Sequence, residues 1–329
     1  MIGDGMGLTQ ISAAMYNNNN KIVFEKFPVI GFHKSHAYDK LITDSAAGAT
    51  AFACGLKTYY NAIGVDKDTM PCKTILETAE DNGYATGIVV TSTLVHATPA
   101  CFYAHQKLRT SYEEIAADLI DHDIDFLIGG GKRYFDRRES DNRDLYRELR
   151  EKGYIVGNYF DHALGQMPAN AKKNFAYFTA DTDPVPVDGG RKYLPMATRR
   201  ALNFLNKRTE KGFFLVVEGS QIDWSGHSNN AEQMIAELLD FDASIQQVIN
   251  FADKNENTLV VVTADHETGG MAINPGSKFK EIVPGYTTNG HTATMIPVFA
   301  YGPGSELFSG IYENTEIYHK IRQALQLYD

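Results

Sequence analysis

The sequence predicts an α/β protein, a three-layer α/β/α sandwich around a large, mainly parallel central sheet. Two observations carry that expectation. Short apolar runs rich in Val and Ile, at 87–90 (GIVV), 213–217 (FFLVV), 259–262 (LVVV) and 296–301 (IPVFAY), alternate with stretches at helical spacing. The runs are continuous, without the apolar/polar alternation of a sheet that has one wet face, so helices must cover both faces. At 329 residues, with no composition break, the chain reads as a single domain over 1–329.

The elements follow in order. Met1-Ile2 ahead of Asp4 reads as the end of a strand whose earlier, apolar part lies outside this sequence. Ser45 opens a helix of small residues, SAAGATA. Residues 74–82 (TILETAEDN) have helical spacing and stop at Gly83, a C-terminal cap signal, before the strand at 87–90. Ser111-Tyr112-Glu113-Glu114 reads as a capping box for the helix EEIAADLID, followed by an apolar run at 124–128 and glycines at 129–131. From 129 to 192 the chain is polar with weak periodicity, and insertions at a rim are expected. A long helix is expected over 231–252, with Met234, Ile235, Leu238, Leu239, Phe241, Ile245, Val248 and Ile249 facing a core.

Bulk composition narrows the partners. A formal net charge of -10 excludes a nucleic-acid partner held by phosphate contacts, which need clustered Lys and Arg. No run approaches the ~18 apolar residues of a membrane span. Cys54, Cys72 and Cys101 make neither a paired disulfide framework nor a zinc spacing, and read as small buried residues.

In open α/β sheets ligands bind beyond the carboxyl ends of the strands. Polar residues collect there: Asp4 after the first strand, His96 and Thr98 after GIVVTST, Glu218, Asp223 and His227 after FFLVV, Asp265 and His266 after LVVVTA, and His291 ahead of IPVFAY. One acid at a strand end is ordinary solvation. Several acids and histidines at one sheet edge would repel or go unsatisfied without a cation. Asp223, His227 and His291 make a nitrogen/oxygen set suited to zinc, with the first two on one face of a helical turn. Asp265 and His266 make a second such set if Asp4 joins them. Glu218, Thr98 and the other oxygen of Asp4 make an all-oxygen set suited to magnesium. Ser45, at the start of its helix with no neighbouring histidine and outside any G-x-S-x-G elbow, reads as a nucleophile that a metal would activate. His33, His36, His122, His162 and His319 have no such company, and His105 reads as structural.

The segments IGDGMG (2–7), DSAAGAT (44–50), HATPA (96–100), EGSQID (218–223) with His227, TADHETGG (263–270) and GHT (290–292) together resemble the alkaline phosphatase family over almost the whole chain. The likeness is to the compact bacterial type, with His96 and Trp224 at two variable positions around the metals. The resemblance implies a phosphate monoesterase that works at alkaline pH through a phosphoserine on Ser45. Two Zn2+ and one Mg2+ per chain are implied, held by Asp223, His227 and His291; by Asp4, Asp265 and His266; and by Asp4, Thr98 and Glu218. Arg109 would clamp the phosphate. A homodimer and a periplasmic or secreted location are implied as well. A sulfatase would need C/S-x-P-x-R, and Ser45-Ala46-Ala47-Gly48 has neither the Pro nor the Arg. A phosphodiesterase branch would carry a threonine nucleophile and no magnesium set. A non-catalytic zinc or phosphate-binding protein would close its metal sites.

Overall fold

A computed structural model describes residues 1–327; the last two residues of the expected domain lie outside the described part. Six strands form a wholly parallel sheet in the order Ile155–Asn158, Phe175–Phe178, Phe126–Gly130, Ala85–Thr93, Phe213–Gly219, Ile2–Gly3. A second sheet runs Val260–Val262, Ile296–Tyr301, Val29–Lys34, Gly310–Glu313. The two are stitched together at Ile2, which bridges Thr263 in the parallel sense, and Gly3 N–H donates to the Thr263 carbonyl at 2.9 Å.

The continuous apolar runs have the predicted cause. Along Ala85–Thr93 every residue is buried, with Ile88 and Val90 in one core and Val89 in the other. The first core also takes Phe52, Leu76 and Ile115 from the helices Ser45–Cys54, Ile75–Asp81 and Tyr112–Asp121. The second takes Ile11, Leu202 and Phe241 from Leu8–Asn17, Leu194–Leu205 and Ala231–Ala252. Of the eight residues expected to face the core on Ala231–Ala252, all but Leu239 are buried.

Four expectations need correction. Ile296–Tyr301 is a strand, but it pairs antiparallel to both neighbours. The stretch 129–192 contributes two four-residue strands, Ile155–Asn158 and Phe175–Phe178, to the edge of the parallel sheet in addition to loops. Ser111 makes no capping bond, because its ψ of 54° is not extended; Glu113 instead accepts from the backbone of Glu139 and Ser140. Cys54 and Cys72 are joined in a disulfide with Cα atoms 5.9 Å apart, which leaves Cys101 as the free, buried thiol.

Candidate metal centre and nucleophile

The candidate ligands gather at or past the carboxyl ends of Ile2–Gly3, Ala85–Thr93 and Phe213–Gly219 in the parallel sheet and of Val260–Val262 in the second, with His291 joining from the strand His291–Thr292. The first strand is only Ile2–Gly3, yet its register against Glu218–Gly219 fixes where the chain turns, and Asp4 N–H donates to the Gly219 carbonyl at 3.2 Å. Gly5 follows at φ +72°, a conformation that favours glycine, and a Cβ there would lie 2.7 Å from the Asp223 Cα. The turn therefore brings Asp4 against the Asp223 helix, and Gly5 N–H donates to Asp265 Oδ1 at 3.2 Å.

Asp223 and His227 lie on the helix Gln221–His227, where the four-residue spacing puts Nε2 of His227 3.4 Å from Asp223 Oδ2. His291 comes from the opposite side, its Nε2 3.1 Å from that of His227 and 3.6 Å from Asp223 Oδ1. Each ring is held from behind by its Nδ1, His227 to the Asn289 carbonyl at 2.6 Å and His291 to the Thr43 carbonyl at 2.8 Å. That leaves both Nε2 atoms aimed at one point, the arrangement of metal-binding imidazoles.

His266 stacks on His291 with ring centres 3.5 Å apart. Its Nε2 is 3.1 Å from Asp265 Oδ2, 3.5 Å from Asp4 Oδ1 and 3.4 Å from Ser45 Oγ. Asp223 also comes within metal-sharing range of Asp4 and His266, so it borders two of the expected cation positions. At the third position His96 joins Asp4 and Glu218 within the same range. The sequence reading put His96 in a supporting role; the geometry makes its Nδ1 a candidate ligand beside Thr98. The Trp224 ring meets the His96 ring edge to face, with centroids 5.8 Å apart.

Burial and charge at this edge conflict as long as no cation is present. Both Asp4 oxygens, Glu218 Oε1, Asp265 Oδ2, Thr98 Oγ1 and His96 Nδ1 are buried without a hydrogen-bond partner. Each such group costs on the order of 1–3 kcal/mol, more when charged. Burial, then repulsion from Asp265, Asp223 and Glu218, holds the Asp4 carboxyl well above its usual range, and burial pushes Glu218 up to about 8. The hydrogen bond to Asp223 lifts His227 to about 9, while burial and the neighbouring His266 lower His291 to about 4.

Ser45 is the first residue of the helix Ser45–Cys54, all ten residues of which are buried. Asp44 caps that helix by accepting from Ala47 N–H at 3.1 Å, and its other oxygen accepts from Arg109 Nη1 at 3.0 Å. Gly48 allows the close approach of Asp265, whose Cβ would be 3.0 Å from a Cβ at that position. Arg109 thus reaches the helix start from a loop 65 residues beyond Asp44 in sequence, with Nη2 3.4 Å from His96 Nε2.

Several contributors were missed in the sequence. Asp44 was read only as part of a motif, and nothing local announces its Arg109 partner. Thr268 Oγ1 donates to Asp223 Oδ1 at 2.5 Å and lies 3.3 Å from His266 Nδ1. Ser92 Oγ donates to Glu218 Oε2 at 3.3 Å and receives Ser220 Oγ at 3.1 Å, which leaves Glu218 Oε1 free for a cation.

The chain is similar to known proteins over nearly its whole length. The alkaline phosphatase family pattern matches residues 1–284 and 280–327. The chain is 34% identical to alkaline phosphatase 3 of Bacillus subtilis, covering 99% of this chain and 88% of that protein. It is 29% identical to the alkaline phosphatase of Escherichia coli K12, covering 99% and 85%. The solved alkaline phosphatase of the Antarctic bacterium TAB5 superposes with a TM-score of 0.92 at 43% identity, covering 100% of this chain and 97% of that one. A substituted form of the TAB5 protein is described with Mg bound in its M3 site.

Proposed function

The chain belongs to the alkaline phosphatase family of metal-dependent phosphomonoester hydrolases, and from that premise we propose how its residues divide the work. Asp223, His227 and His291 hold one zinc ion; Asp4, Asp265 and His266 hold a second beside Ser45; Asp4, Thr98 and Glu218 hold one magnesium ion, with His96 and Trp224 shaping that end. The observation that carries this reading is the set of partnerless buried oxygens and nitrogen surrounding Ser45, a cost that cations would remove. The donor chemistry fits: two nitrogen/oxygen sets for zinc, and a set richer in oxygen for magnesium.

When bound, these ions lower the pKa of an oxygen nucleophile and neutralise charge on the leaving group. Ser45 Oγ gives up its proton and bonds to phosphorus as the bond to the alcohol oxygen breaks, and the alcohol leaves after taking up a proton. Water then attacks the phosphoserine, releasing phosphate and restoring the Ser45 hydroxyl. Arg109, anchored through Nη1 to Asp44, turns its remaining N–H groups to two phosphate oxygens. Hydroxide-dependent steps favour alkaline pH.

Residues 1–329 act as one catalytic domain. Tyr38, Leu41 and Ile42 on one loop and Leu108 on another are exposed and suit burial in a homodimer. The Cys54–Cys72 pairing suits an oxidising compartment, periplasmic or secreted. The test is turnover of a chromogenic monoester at alkaline pH, with a diester and a sulfate ester in parallel, before and after chelation. Monoester hydrolysis that chelator abolishes and only zinc plus magnesium restores supports the assignment. Ser45→Ala should bind both metals yet lose turnover by about 1,000-fold or more and trap no phosphoenzyme; retained turnover would remove Ser45 from its role.

A further inference from the structure

Behind the two histidine-bearing segments sits a buried carboxylate that the chemistry above does not use. His291–Thr292 pairs antiparallel with Glu267–Thr268, so that His291 lies opposite Thr268 and Thr292 opposite Glu267. Side chains alternate across such a ribbon. One face presents His291 to His227 and Thr268 to Asp223; the other carries Glu267 and Thr292.

On that far face Glu267 is 4% exposed and has no cationic partner among the described residues, yet both of its oxygens are satisfied. Gln10 Nε2 donates to Oε1 at 2.6 Å, as does Met271 N–H at 3.2 Å. Gly270 N–H donates to Oε2 at 3.1 Å, and so does Thr292 Oγ1. Gly7 makes room for it, since a Cβ there would come within 2.3 Å of Glu267 Cγ. Three segments therefore converge on one side chain: the helix Leu8–Asn17 that follows the Asp4 turn, the segment that follows Asp265 and His266, and the strand that begins with His291.

We propose that Glu267 is a positioning residue that, through Thr292 and Gln10, sets the separation of His266 and His291 and so the affinity of the zinc positions. The inference rests on the reading above that these histidines hold zinc. A carboxylate suits the task because it accepts at every site and donates at none, matching four converging donors. Glu267→Gln keeps the shape but puts an NH2 against two of those donors. Thr292→Val keeps the volume and removes one donor, whereas Thr292→Ser keeps the hydroxyl.

The experiment uses the full chain loaded with zinc. Zinc affinity is read by competition with a chromogenic chelator, the ligand geometry by the visible spectrum of the Co2+-substituted protein, and magnesium affinity in parallel. Glu267→Gln and Thr292→Val should weaken zinc about 10- to 100-fold and alter the cobalt spectrum, with magnesium affinity unchanged. Thr292→Ser should restore both readouts. Wild-type zinc affinity and an unchanged spectrum in Thr292→Val would overturn the inference, as would equal losses of zinc and magnesium together with a lowered melting temperature. A wild-type protein that binds no zinc would overturn the metal assignment itself. Should Glu267→Gln fail to fold, the Thr292 pair decides alone.

Discussion

Replacing Glu218 by Gln should stabilise the metal-free protein at alkaline pH, the opposite of what losing a metal ligand does to the loaded one. Glu218 is fully buried, and burial raises its carboxyl from 4.5 to about 8. Below pH 4.5 it is protonated folded and unfolded alike and costs nothing. Between 4.5 and about 8 the unfolded chain releases the proton while the folded one retains it, so stability falls as pH rises. Above that window the ionised form costs the fold about 5 kcal/mol, at about 1.36 kcal/mol for each tenfold change in acidity. A neutral amide in its place carries no such cost, and removing the negative charge also relieves Asp4. Urea midpoints of chelator-treated wild type and Glu218→Gln, taken from pH 4.5 to 9, should diverge in favour of the variant by several kcal/mol. With saturating magnesium at pH 8 the order should reverse, because cation binding stabilises only the form that holds it. A stripped variant that is no more stable than wild type at pH 8 to 9 would refute the argument that this carboxylate is held against its solvation preference.

Three further outcomes follow from the geometry. On its proposed role, Arg109→Ala should lower kcat/KM by about 100-fold, since two charge-assisted hydrogen bonds are worth about 3 kcal/mol or more together, and Arg109→Lys should recover only part because an ammonium cannot fork. Reducing the Cys54–Cys72 bond, which closes 18 residues of chain, should cost about 3 kcal/mol in chemical denaturation and leave kcat unchanged, because Cys54 ends the helix that Ser45 begins. Gly5→Ala should lower both the melting temperature and the zinc content, because the new methyl group meets Asp223 and Thr268 at 2.7 Å in a backbone conformation that L side chains disfavour.

The convergence of the candidate ligands was legible because a strand end is a fixed address: a polar residue after an apolar run is carried to the sheet edge whatever the rest of the chain does. Direction was not legible. An apolar run such as 296–301 reads the same whether its neighbours run with it or against it, and Ile296–Tyr301 turned out antiparallel on both sides. Strands as short as Phe175–Phe178, set among lysines and asparagines, fall below what periodicity can register. The disulfide was hidden for a related reason: Cys54 and Cys72 become neighbours only through the loop between the helix end and residue 72, and nothing in their spacing announces it. Ser111 shows the converse, a sequence pattern whose backbone angle prevents the bond it suggests. The closeness of His96 to Asp4 and Glu218 was not legible, because it depends on the packing of three strand ends against one another.

The stitch between Ile2 and Thr263 has a kinetic consequence. Asp4 and Asp265 become neighbours through the Ile2–Thr263 bridge and through bonds such as that from Gly5 N–H to Asp265 Oδ1, which joins residues 260 positions apart. Closing a loop of that length costs entropy before any contact repays it, so this edge zips up late in folding. The two positions that use Asp4 come into being only after residues 2–5 have met residues 263–265. Metal held through Asp4 therefore cannot guide the chain toward its fold: adding magnesium should leave the folding rate unchanged and slow unfolding instead, acting as a latch on a door that has already shut.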